Sequence, residues 1–173
     1  MKQEKVKYIA TTRLTNITHN EINAYKIKKN INYPIYGCPL KISSKITRNA
    51  YMYVIEMNND INEILGISLI KNTEIHKRMC IYSDNFYNNY VYKGNRFISK
   101  SILMEENREL VEILEQLCFY GKSHMKRMIG ISLIKEKILN EPRTKGMNLL
   151  EEITKIFEYE YIIRSIPQGN SLI

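Results

Sequence analysis

Tryptophan is absent from this chain, and glycine, proline and cysteine are scarce, at 7, 4 and 3 of 173 residues. So few breakers argue against a collagen-like or linker-rich polypeptide. Cys38, Cys80 and Cys118 are odd in number and widely spaced, with no Cys-x-x-Cys pair. That pattern suits neither a disulfide framework nor a zinc knuckle, and three reduced, mostly buried thiols are expected. His19, His76 and His124 are equally scattered, so no metal ion or cofactor is expected. Apolar runs such as Ile129–Ile134 fall far short of the ~20 residues that a membrane helix needs. The opening Met1-Lys2-Gln3-Glu4-Lys5 lacks a signal-peptide apolar core. An intracellular protein without a membrane partner is expected.

What is present is ordinary for a folded domain, with 44% hydrophobic and 25% charged residues. One domain over 1–165 is expected, followed by a frayed tail over 166–173. Ile and Asn make up about a quarter of the chain and Lys outnumbers Arg, a bias toward residues with AT-rich codons. The net charge of +8 is uneven. Residues 1–49 carry ten Lys/Arg against two Asp/Glu, and 121–146 carry seven against two. Between them, 105–120 hold one Arg against five Glu. Clustered cations favour a polyanionic partner more than net charge alone does.

The pattern predicts an α+β fold: a small curved sheet or partly open barrel of short, mainly antiparallel strands, with three to four helices packed on it. Lys5–Thr12 reads as a strand. Thr18-His19-Asn20-Glu21 fits a capping box opening a helix that runs to about Asn30. Ala50–Met57 and Glu63–Ile70 flank an Asn/Asp loop and read as a hairpin. Met79–Tyr82 reads as a short strand, and Tyr90–Lys93 with Arg96–Ile98 as a second hairpin about Gly94-Asn95. Glu105–Tyr120 reads as an amphipathic helix closed by Gly121. Shorter helices are expected over Ser132–Asn140 and Met147–Tyr159. Gly66–Lys71 recurs word for word at Gly130–Lys135, but the flanks differ, so a true repeat is not expected.

Two segments carry the chemistry of phosphate and base recognition. In Tyr120-Gly121-Lys122-Ser123-His124-Met125-Lys126-Arg127 small donors stand beside three cations, a set suited to phosphate oxygens. Gly121-Lys122-Ser123 resembles the end of a P-loop, but Gln116 stands where the motif needs its first glycine, so nucleotide hydrolysis is not expected. In Tyr90-x-Tyr92-Lys93-Gly94-Asn95-Arg96 rings alternate with cations, as a single-strand stacking surface requires. With Arg13 and Tyr36 added, the candidate nucleic-acid contacts are Arg13, Tyr36, Tyr90, Tyr92, Lys93, Arg96, Tyr120, Lys122, Ser123, His124, Lys126 and Arg127.

Tyr8–Arg13, Ile35-Tyr36-Gly37, Val54–Asn59 with Gly66-Ile67, Tyr92-Lys93-Gly94 with Arg96, and Phe119–Arg127 together resemble small proteins of large nucleocytoplasmic DNA viruses of the mimivirus type. The resemblance implies a viral source and no particular activity. The rhythm of a strand ending near Glu56, a hairpin and a Gly-Ile-x-x-Ile strand is also similar to PUA-like barrels of the ASCH and EVE types. That likeness implies RNA or modified-base binding in an aromatic cleft, here lined by Tyr in place of Trp. A noncatalytic nucleic-acid-binding module, RNA favoured over DNA, is therefore the first expectation. A structural or protein-interaction protein, packaged in the virion or binding a host factor and either self-associating or docking on an acidic protein partner, is the second. A metal-dependent nuclease using Glu56, Asp84 or His124 is the third. The oligomeric state stays open.

Overall fold

The structure is a computed structural model, and it describes residues 6–165; the tail 166–173 and Lys5 lie outside the described residues. Strand β1 (Tyr8–Leu14) leads into helix α1 (Asn16–Lys29), then β2 (Ile35–Cys38), β3 (Tyr51–Asn58) and β4 (Glu63–Glu74). After a 3-10 turn at Asn85–Asn88 come β5 (Tyr90–Ser99), α2 (Lys100–Glu106) and α3 (Arg108–Phe119). The chain closes with β6 (Ile131–Leu133), α4 (Glu136–Leu139), a second 3-10 turn at Pro142–Thr144 and α5 (Leu149–Ser165). The expected α+β class holds. Among the described residues the six strands form one curled, half-barrel sheet in the order β2-β5-β4-β3-β1-β6. All pairings are antiparallel except β1 with β3, and that parallel pair is reached through the α1–β2 crossover.

Successive side chains along a strand point to opposite faces, and β3 is apolar on both. Tyr53, Ile55 and Met57 join one core, which α3 covers with Leu110, Ile113, Leu114 and Leu117 and α5 with Ile153 and Phe157. Met52 and Val54 join the other, with Ala10, Leu14, Ile35 and Tyr36 on the inside of the curl and Ile22 of α1 across it. A strand buried on both faces reads as a continuous apolar run, which is why β3 is legible as a strand and its one charged residue, Glu56, is conspicuous.

Several boundaries differ from the sequence expectation. The capping box lies three residues earlier. Thr15 Oγ1 accepts from Thr18 N at 3.2 Å and Thr15 N donates to Thr18 Oγ1 at 2.8 Å, while Glu21 accepts from Ser83 N at 3.0 Å. Arg13 accordingly falls inside β1. Met79–Tyr82 is not a strand, because Asn88 Oδ1 takes the N–H groups of Ile81 and Tyr82 at 2.9 and 3.0 Å. The proposed hairpin about Gly94-Asn95 is one continuous strand, β5. A Cβ on Gly94 would lie 2.7 Å from the Leu69 carbonyl oxygen, so this glycine permits close packing and makes no turn. The long helix expected over Glu105–Tyr120 is two, since Asn107 leaves helical geometry and its side chain caps Leu110 N at 3.0 Å. That break lifts the helix count among the described residues to five. Ser132–Asn140 is divided between β6 and the single turn of α4. The first copy of the six-residue repeat lies wholly in β4 and the second only partly in β6; Ile67 faces the α3 core and Ile131 the inside of the curl.

Gly66 lies opposite Glu56, and the Phe97 ring rests over it. A Cβ there would stand 2.3 Å from the Ile98 carbonyl oxygen and 2.5 Å from Phe97 Cζ. Gly66→Ala is expected to lower stability by about 1–3 kcal/mol through overpacking. Urea denaturation checks this, and unchanged stability would show that Phe97 does not rest on the strand.

Candidate functional site

Alternation along β3 turns Glu56 toward the inside of the curl, with Met52 and Val54. Its carboxylate is the one acidic group buried there among the described residues, and 9% of the residue is exposed. Ser68 of β4 donates to Glu56 Oε1 at 3.1 Å. Tyr36 of β2 donates to the same oxygen and also touches the Ser68 hydroxyl. Three contacts thus join three groups that carry two hydroxyl protons. A protonated Glu56 that donates from Oε1 to one hydroxyl frees that hydroxyl's proton for the Tyr36–Ser68 contact, so every contact can then be a hydrogen bond. Burial raises the Glu56 carboxyl above its usual range, against the lowering effect of the two hydroxyls and of Lys26. The Tyr36 hydroxyl is pushed well up, by burial first and then by Glu56.

Oε2 of Glu56 has no hydrogen-bond partner among the described residues. Beside the carboxyl lies a cavity of about 70 Å³, bounded by Glu56, Tyr36, Phe97, Pro34 and one face of α1. His19, Asn23 and Lys26 line it from that helix, at the i, i+4 and i+7 spacing of a single helical face. Asn23 Nδ2 and His19 Nε2 are 3.2 Å apart. Partial burial, and next the Lys26 charge, hold the His19 imidazole below its ordinary value.

A different face of α1 borders a larger cleft of about 730 Å³. Lys28 and Lys29 at the end of the helix face Lys77 and Arg78 across it, with Tyr25 and Tyr33 in the walls. All four cations are exposed, and none forms an ion pair with a carboxylate among the described residues. Lys93 joins them, its Nζ 5.8 Å from the Tyr33 ring centroid. Another cleft of about 730 Å³, between β6 and the start of α5, sets Lys7 beside Glu136 and Glu141 and lacks this concentration of one sign.

The structure separates the residues that sequence reasoning grouped. Glu74 pairs with Tyr92 and Gly66 with Ser99, so Tyr90, Tyr92 and Lys93 lie toward the Glu74 end of β4. Lys126 lies at the other end, where its Nζ meets Asn62 Oδ1 at 2.6 Å and its carbonyl accepts from Asn59 at 3.0 Å. The twelve residues of β4 between those ends span roughly 35 Å at about 3.3 Å per residue. Arg13, opposite Met57, belongs to the Lys126 end, with exposed Lys122, Ser123 and Arg127.

Other candidates are engaged internally. Tyr36 is buried on Glu56. Tyr92 is buried, and its hydroxyl accepts from Ile42 N at 3.1 Å. The Tyr90 ring carries Lys41 at 5.3 Å. Arg96 donates to the Phe157 carbonyl at 3.2 Å and lies 4.3 Å from the Tyr161 ring. His124 Nδ1 accepts from Lys126 N at 3.2 Å. Tyr120 is half exposed, and its carbonyl is taken by Arg143. Glu56, Asp84 and His124 do not converge: Asp84 caps the turn at Phe86, and no cluster of three potential metal ligands exists among the described residues.

Sequence reasoning missed the second cleft because its cations come from two places. Lys28 and Lys29 end α1, while Lys77 and Arg78 follow β4 some fifty residues later, so no single sequence window holds all four. No family model, curated protein or solved structure matches the chain. The geometry therefore carries the functional reading alone.

Because burial raises Glu56, the folded protein holds its proton more tightly than the unfolded chain does. That contribution to stability is complete below the ordinary Glu range and is lost as pH rises through the folded-state value. Glu56→Gln cannot ionise and loses this dependence. The variant is expected to gain on the wild type as pH is raised from 4 to 8 in urea denaturation. A wild type that instead gains on the variant over that range would indicate a carboxylate stabilised in its charged form.

Proposed function

We propose that this protein is a noncatalytic nucleic-acid-binding module that engages a single strand, RNA favoured over DNA, along the cleft beside α1. The observation that carries the reading is the set Lys28, Lys29, Lys77 and Arg78, exposed, without an ion-pair partner among the described residues and flanked by Tyr25 and Tyr33, with Glu21 the one acid in the lining. Cations that track a phosphate backbone and rings that stack on bases are the two requirements of single-strand binding. Lys93 extends the basic surface past Tyr33. Among the described residues no helix is long and apolar enough to cross a membrane. We infer an intracellular setting, in keeping with the sequence resemblance to proteins of large DNA viruses.

The loop at the opposite end of the sheet supports a second reading. Tyr120, Met128 and Ile129 are exposed there beside Lys122 and Arg127. Apolar side chains rimmed by cations fit an acidic protein partner better than a phosphate backbone.

Fluorescence anisotropy with short single- and double-stranded RNA and DNA, titrated across salt, tests the main reading. The double variant Lys77→Glu, Arg78→Glu is expected to bind single strands at least tenfold more weakly at about 0.1 M salt. Its slope of log affinity on log salt is expected to be shallower by about 1.4, at ~0.7 per lost phosphate contact on a single strand. A folded double variant with the wild-type slope would remove the cleft from the reading. No binding of any of the four at low salt would remove nucleic acid altogether.

A further inference from the structure

We propose that the cavity at Glu56 reads the amino-bearing edge of one nucleobase, cytosine fitting best, in a strand held by the neighbouring cleft; this rests on the nucleic-acid reading above. Glu56 Oε2 is an acceptor without a partner, on a side chain nine-tenths buried and aimed into a recess. Its other oxygen is fixed by Tyr36 and Ser68, so the carboxyl cannot swing away to find water without breaking both bonds. An acceptor fixed in this way, at the wall of a recess open to solvent, favours a ligand that brings a hydrogen-bond donor.

Size and wall chemistry narrow the choice. A cavity of about 70 Å³ matches roughly two water molecules at ~30 Å³ each. It admits an exocyclic amino group and the adjacent ring edge but not a whole base. Phe97, kept against the sheet by the bare backbone of Gly66, gives that base an aromatic wall. Lys26 lines the same recess and supplies a donor, and Asn23 can give or accept. An acceptor and a donor within one recess suit a neutral edge that carries both side by side, such as the 4-amino group of cytosine beside its N3 acceptor. A carboxylate accepting from the cytosine amino group is an established direct-readout pairing. Uracil presents a carbonyl oxygen at the same position, which would face Glu56 Oε2 acceptor to acceptor.

The cavity and the cleft lie against two faces of one helix, whose diameter with side chains is about 10 Å. Tyr33 lines the cleft and the next residue, Pro34, lines the cavity. A strand whose phosphates follow Lys28, Lys29, Lys77 and Arg78 can therefore send one base round the end of α1 to Glu56.

Anisotropy with ten-nucleotide oligo-C and oligo-U RNA at pH 7.5 and fixed salt tests the proposal on the full chain. Wild type is expected to bind oligo-C about tenfold more tightly than oligo-U. Glu56→Gln, whose amide can donate to the uracil carbonyl, is expected to lose that preference while keeping the wild-type salt slope. Phe97→Leu is expected to weaken oligo-C binding more than oligo-U binding, and circular dichroism verifies that both variants fold. Equal affinity for the two oligomers, a preference for oligo-U, or a preference that survives in a folded Glu56→Gln variant would overturn the base-reading role and leave the cleft standing. Absence of binding to both oligomers at low salt would overturn the role together with the nucleic-acid reading.

Discussion

The contact of Tyr36 with Glu56 sets the shape of the molecule. β2 and β3 are separated in the sheet by β5 and β4, three interstrand steps or roughly 14 Å across a flat sheet at ~4.8 Å each. A tyrosine hydroxyl on one cannot meet a carboxyl on the other unless the sheet curls. The contact therefore requires the curl, and Ser68 on β4, between them, closes the triangle. Small residues let the strands bend this tightly: Gly94 and Gly66 leave no room for a Cβ, and the β4–β5 register shifts past Leu69 and Ile70. Unlike the apolar packing around it, this network is directional, and it charges the fold a desolvated carboxyl.

Because the sheet curls, its inner face cannot be filled by strands alone. The opposite face is covered in the ordinary way by α3 and α5. On the inner face only Ile22 of α1 is fully buried, so the helix lies along the opening and does not plug it. One face is left over the Glu56 cavity and another over the basic cleft. Both recesses are thus consequences of one arrangement, a polar helix laid on the mouth of a half-barrel. The helix direction adds to this: its last turn carries Lys26, Lys28 and Lys29, placed where cations interact favourably with the helix C-terminus.

Much of the fold was legible in sequence, and the failures have identifiable physical causes. The β3–β4 hairpin was readable because two apolar runs flank an Asn/Asp turn, and α5 because Ile153, Ile156 and Phe157 keep helical spacing. Gly94-Asn95 misled because a glycine demanded by close packing has the same letter as one demanded by a turn. Thr18-x-x-Glu21 misled because Thr15 and Thr18 form an equally good box three residues earlier, and local pattern cannot choose between them. The site was harder. The cations of Tyr120–Arg127 and Tyr90–Arg96 were visible as clusters, but the register of β4 with β5 sets them at opposite ends of the sheet. Lys126 and Arg96 are then occupied by Asn62 and the Phe157 carbonyl. The one early signal of the true recess was Glu56 itself, a charged residue in the middle of an otherwise apolar strand. It was visible as an anomaly, but its partners Tyr36 and Ser68 lie on other strands and only the fold assembles them.

Titrating the Glu56 side-chain carboxyl directly is the most economical check on this picture. Its ¹³C shift, followed by NMR in the folded protein, reports the protonation of that one group. A buried carboxyl held by two hydroxyls and open at one oxygen should titrate above the ordinary Glu value of about 4.3. A midpoint at or below that value would show the two hydroxyls and Lys26 outweighing burial, and would contradict the account of a carboxyl that the fold holds desolvated and protonated.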